Sequence, residues 1–245
     1  MKQPIHNEDT IHSGSKFWSK WNEYIGEFVY GGIDGSVTTF AVVAGAAGAN
    51  LDSSIVIILG FANLIADGFA MSVGSYLSNK SELERYEKHE QIEYCEVDNL
   101  PEKEREEVRE IYSAKGFEGE LLDKVVDVIT ADKKRWVDVM MKEELGMIKE
   151  DKSPLTMGAV TFLSFILVGF IPLLVYVIDY ASPESIDNPF HISILFTSLG
   201  FIIVGWLKSI VNQTKVVKSV VETLFLGAIA AGLSYLVGDL LEKLF

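Results

Sequence analysis

The chain has a single cysteine in 245 residues, Cys95, which excludes an intrachain disulfide and a cysteine-built metal cluster. Histidine is nearly as scarce. His6, His12 and His191 stand isolated, and His89 has no Glu three residues before it, so the Glu-x-x-His pattern of di-iron helical bundles is missing. That absence weighs against a membrane-anchored, ferritin-like iron oxidase. Neither a Ser-centred nucleophile elbow nor a phosphate-binding glycine loop occurs, so no enzyme and no prosthetic group are expected. Positive charge is short as well. The chain carries 21 Lys and Arg against 35 Asp and Glu, a net charge of -14 that excludes nucleic acid as a partner and favours cations. The opening residues, MKQPIHNEDT, hold no basic segment leading into an apolar one and no cleavage signal, so the first apolar stretch is expected to be retained.

What is present falls into two kinds of sequence. A hydrophobic fraction of 49% suits a membrane protein, whereas 23% charged residues do not suit a chain lying wholly in lipid. The two are segregated: most of the charge lies between Lys80 and Lys152, with largely apolar sequence on either side. Requiring roughly 20 apolar residues per crossing gives five candidate spans, about Phe28 to Ala49, Ser54 to Leu77, Leu155 to Tyr180, His191 to Val211 and Val217 to Leu241. GANLDSS and ASPESIDNP form the short turns after the first and third, Pro183 and Pro189 acting as breakers, and Gly169 with Pro172 is expected to bend the third span. Gly31, Gly32 and Gly35, then Gly60, Gly68 and Gly74, then Gly227, Ala231 and Gly232 favour close helix contact. Lys16, Lys20, the charged block, Lys208, Lys215 and Lys218 fall on one side of these spans, and the two turns contain no Lys or Arg. The positive-inside rule therefore puts the N-terminus and the charged block in the cytoplasm.

The expected fold is all-α: five transmembrane helices with a cytoplasmic helical domain inserted between spans two and three. Its segments are an N-terminal cytoplasmic stretch 1–22, spans one and two within 23–79, the helical domain 80–152 and spans three to five within 153–245. Inside the domain, Lys80 to Glu96, Pro101 to about Lys115, Phe117 to Thr130 and Lys134 to Leu145 read as helices, with Pro101 as an N1 residue and Gly116 and Gly146 as stops.

Asp34 is the one charge between Phe28 and Ala49, and an ionised group inside a span costs at least about 2.5 kcal/mol, so such a residue usually faces a polar cavity and serves transport. The second span supplies Asp67 and Met71, four residues apart on one helical face. Asp34 lies six residues from the cytoplasmic start of its span and Met71 six from the cytoplasmic end of the next, which places both about 9 Å deep at 1.5 Å per residue. Glu23 and Glu27 continue the acidic line from Asp34 towards the cytoplasm. In the charged block, Glu87, Glu90, Glu93 and Glu96 repeat every three residues, Glu104 and Glu107 repeat that spacing, and Met140, Met141 and Glu144 follow. Carboxylate with thioether is a mixed hard and soft donor set, suited to a transition ion such as ferrous iron; the bland alternatives are a solvated acidic face and core methionines.

The stretches GGIDGSVTTFAVVAGAAGA, GFANLIADGFAMSVGSYLSNKSE and WVDVMMKEELG, in that order, resemble the vacuolar iron transporter family of ferrous iron and manganese carriers. The resemblance covers nearly the whole chain from Glu23 onward. It implies a five-span homodimer with its path at the dimer interface, a cytoplasmic metal-binding domain, and proton antiport that removes the metal from the cytosol. Position by position it implies an intramembrane metal site at Asp34 and Met71 and acidic entrance positions at Glu23 and Glu27. It implies cytoplasmic ligands at Glu93, Glu96, Glu104, Glu107, Met140, Met141 and Glu144, and leaves Glu87 and Glu90 as a solvated face. Asn63 stands where some relatives have Glu, with Asp67 one turn away as a substitute. The cargo is expected to be Fe2+, with Mn2+ as the alternative and H+ as counter-ion. The host membrane is the plasma membrane for a prokaryotic chain and the vacuolar membrane for a eukaryotic one.

Overall fold

Long stretches free of internal breakers become long helices. The computed structural model describes residues 16–182 and 186–244, with side chains from Glu23 onward. His6, His12 and Pro183, and the side chains of Lys16 and Lys20, lie outside the described residues. Within them all the regular secondary structure is helical: α1 (Lys16–Gly48), α2 (Ser53–Asn99), α3 (Pro101–Ala114), α4 (Gly119–Thr130), α5 (Lys133–Val139), a π-helical turn (Met140–Glu144), α6 (Pro154–Gly169), α7 (Ile171–Ala181), α8 (Pro189–Val211) and α9 (Val216–Glu242). Four of these are long and apolar enough to cross a membrane, namely α1 from Glu23 onward, α2, α8 and α9, and the pair α6 and α7, bent by 50°, makes a fifth if taken as one span.

The chain divides into two units, one of residues 1–76 and 152–245, the other of residues 77–151. Helix α2 contributes to both. No break occurs where apolar sequence gives way to charge, because the residues from Ser75 to Asn99 contain neither Gly nor Pro.

In the first unit α1 is central and packs against α6, α7, α8 and α9. Glycine permits this closeness. A Cβ on Gly169 of α6 would sit 2.7 Å from the Gly35 carbonyl oxygen, and one on Gly35 would sit 2.9 Å from Phe165 Cα, so both must stay bare for the backbones to meet. Hydroxyls buried in this apolar setting bond back to their own helix: Ser36 Oγ donates to the Gly32 carbonyl at 2.8 Å and Thr38 Oγ1 to that of Asp34 at 2.8 Å. The bend between α6 and α7 falls where the sequence places Gly169 and Pro172, and the Pro172 carbonyl accepts from Ser193 Oγ of α8 at 2.6 Å.

The second unit has its own core of Val97, Val108, Leu122, Val126, Ile129, Trp136, Val137, Met140 and Met141. Its helices are separated by recognisable stops. Pro101 opens α3, Gly116 follows it at φ +93°, Asp132 caps α5 by accepting from Arg135 N at 2.8 Å, and Gly146 ends the π turn at φ +63°. Arg109 and Asp123, at 2.7 Å, tie α3 to α4.

Candidate metal centres

In the second unit, Glu93 and Glu96 lie one turn apart on α2, and Glu104 faces them from α3. One carboxylate oxygen of each lies within 4.8 Å of the others. Glu93 is 4% exposed and Glu104 1%, and each keeps a buried Oε2 with no hydrogen-bond partner. Burial, then repulsion from Glu144, Glu96 and Glu107, pushes Glu93 up to about 7. Burial, then Glu107, Glu93 and Glu96, pushes Glu104 up to about 7 as well. Glu144 is raised by burial, then by Glu107 and Glu96. Lys103, which pairs with Glu107 at 2.9 Å, offsets only part of this repulsion.

Orphaned buried carboxylate oxygens are costly, and a multivalent cation is the partner that would satisfy several of them at once. The oxygens present suit a hard or borderline divalent ion. Met140 and Met141 are fully buried in the core beside Trp136 and Val108. The π turn sets their register: the Leu145 amide reaches back five residues to the Met140 carbonyl at 3.2 Å, placing Glu144 where it acts on Glu93. Glu87 is exposed and Glu90 half-buried, and neither joins the three-carboxylate group.

In the first unit Asp34 is half-buried on α1, and the like charge acting on it is Asp67 of α2. Met71, one turn beyond Asp67, packs against the cluster containing Leu64 and Phe165, and Gly35, next to Asp34, lies on the Phe165 backbone. Asp34, Asp67 and Met71 therefore border one region of this unit. Asn63, one turn before Asp67, has a buried side-chain N–H with no partner. Asp67 itself is exposed, with the exposed Leu59 two turns before it on the same side of α2, whereas the exposed Ile58, Ile65 and Phe69 look out from the opposite side. Glu23 is exposed, whereas Glu27 is largely buried and paired with Lys152 at 3.1 Å. Sequence reasoning missed this lysine, whose only signal is its place just before the Ser153 cap of α6.

The profile of the VIT family matches residues 25–239. The chain is 34% identical over 227 residues to a vacuolar iron transporter of Toxoplasma gondii, covering 90% of this chain and 75% of that one. It is 34% identical over 221 residues to vacuolar iron transporter 1 of Arabidopsis thaliana, covering 90% and 87%. Against a vacuolar iron transporter of Plasmodium berghei it is 32% identical over 226 residues, covering 90% and 83%.

Proposed function

Because the chain belongs to the VIT family, of which it is an integral membrane member, we propose that it exports ferrous iron from the cytosol by proton antiport. The observation that carries the metal reading is the group of Glu93, Glu96 and Glu104, with two buried oxygens left without partners. In this reading the second unit lies in the cytoplasm, as the Lys and Arg of the flanks suggest, and collects the ion through these three residues with Glu107, Glu144, Met140 and Met141. The ion then passes Glu23 and Glu27 and is held by Asp34 and Met71, with Asp67 supplying the charge that Asn63 lacks.

A homodimer fits the uncovered face of α2. An exposed carboxylate on α2, with the exposed Leu59 two turns before it, is costly against lipid, and a second copy laid on that face doubles every ligand and shelters Asp67. Asp34 then works by competition: the cation favours its ionised form, and protons arriving from the far side displace the metal.

The test is metal uptake into proteoliposomes under an imposed proton gradient, with Fe2+ and Mn2+ in competition and a pH dye inside. Uptake of Fe2+ accompanied by proton movement in the opposite direction supports the reading. Uptake indifferent to the gradient removes the antiport, and dominance of Mn2+ reassigns the cargo.

A further inference from the structure

The lysine that sequence reasoning passed over sits on the expected entrance. Lys152 Nζ donates to Glu27 Oε1 at 3.1 Å, with the lysine side chain 35% exposed and the glutamate 13%. The other oxygen of Glu27, Oε2, is buried and makes no hydrogen bond. The backbone beside Lys152 is fixed independently. Ser153 N donates to the Tyr24 hydroxyl at 3.3 Å, one turn before Glu27 on α1, and Ser153 Oγ caps α6 by accepting from Thr156 N at 3.5 Å. The Cα of Lys152 is thereby held while its four-carbon stem leaves the ammonium free to swing away.

A single tethered ammonium satisfies half of this carboxylate. Its local concentration is high because it is part of the chain, so a free monovalent ion of equal charge gains little by replacing it. A divalent ion brings twice the charge and can take both oxygens, including the one now without a partner. Resting on the transport reading above, we infer that Lys152 is a tethered cation that occupies Glu27 until a divalent ion displaces it. It is thus a specificity-determining residue that selects cargo by valence at the mouth of the path. The pair is more than a brace, because a brace gains nothing from leaving the second oxygen buried and bare.

The test is the concentration dependence of Fe2+ uptake into proteoliposomes by the full chain, measured for the parent, Lys152→Met, Lys152→Arg, Glu27→Gln and the Glu27→Gln, Lys152→Met double variant. Removing the competitor in Lys152→Met is expected to lower KM about fivefold, equivalent to about 1 kcal/mol for a partly exposed ion pair, with kcat little changed. Added K+ should then inhibit Lys152→Met and not the parent. Lys152→Arg, whose fork can take both oxygens, should raise KM. In the Glu27→Gln background, loss of Lys152 should leave KM where Glu27→Gln alone sets it. An unchanged or raised KM in a folded Lys152→Met, with no new sensitivity to K+, overturns the inference. If Lys152→Met does not fold, an unchanged KM in Lys152→Arg overturns it. Parental vesicles that take up no metal would instead overturn the transport reading.

Discussion

Asp34 and Glu104 are both carboxylates held partly or wholly out of water, and the regions around them are built on opposite rules. Around Asp34 charge is sparse. Helices α1 and α6 meet backbone to backbone at Gly35 and Gly169, side-chain hydroxyls donate to carbonyls one turn back on their own helix, and among the described residues the acidic neighbour acting on Asp34 is Asp67. Around Glu104 charge is crowded: Glu107, Glu93 and Glu96 act on it, Glu144 acts on its neighbour Glu93, and two oxygens are left buried and bare. In the proposed function the first arrangement would serve a cation by isolating a carboxylate in an apolar wall, the second by forcing carboxylates together. A site of the first kind depends on helix spacing, and a site of the second on the charges themselves.

The largest expected effect breaks the first region without touching an acid. Gly35→Leu drives a side chain into the Phe165 backbone, where even a Cβ lies 2.9 Å from Cα, and should cost more than about 3 kcal/mol. Size-exclusion chromatography and thermal melting of the detergent-solubilised protein should show little folded material. Next comes pH, which sharpens the comparison through the second region. With Glu93 and Glu104 raised from 4.5 to about 7, the folded chain keeps protons that the unfolded chain has already lost. Stability of the metal-free protein should therefore be fully present below about 4.5, fall as pH rises to about 7 and level off above, by about 3 kcal/mol for these coupled groups. Glu104→Gln should flatten that profile and weaken metal binding at least about tenfold, since a lost charge-assisted ligand is worth more than about 1.4 kcal/mol. Melting curves over pH and calorimetric titration of the full chain measure both. The smallest effect is local: Asp132→Ala removes the cap on α5 and should cost about 1 kcal/mol in the melt, with metal affinity nearly unchanged.

Much of the helical layout was legible because its signals are local. Pro101, Gly116 and Gly146 mark helix ends through backbone chemistry that needs no partner, and Gly169 with Pro172 marks the bend. Two features of that layout were not legible. The continuity of α2 through residue 77 was hidden because a change from apolar to charged composition looks like a boundary, although nothing there interrupts the hydrogen-bond ladder. The π turn at Met140–Glu144 lies within the helix expected from Lys134 to Leu145 and has no local signal, since its register depends on burying two adjacent methionines in the same core. Among the candidate ligands, the repeat of Glu93 and Glu96 could be read along one helix, but their meeting with Glu104 depends on how α3 folds back after Pro101. The pairing of Lys152 with Glu27, 125 positions apart, left no trace in local pattern.

The central claim is that the lone carboxylate in the apolar wall is indispensable for moving metal, while the crowded group gathers it. The most direct measurement compares Fe2+ uptake by Asp34→Asn, Glu104→Gln and the parent in proteoliposomes under the same proton gradient. The account predicts no uptake by Asp34→Asn and reduced but measurable uptake by Glu104→Gln. Uptake by Asp34→Asn at the parental rate would contradict it.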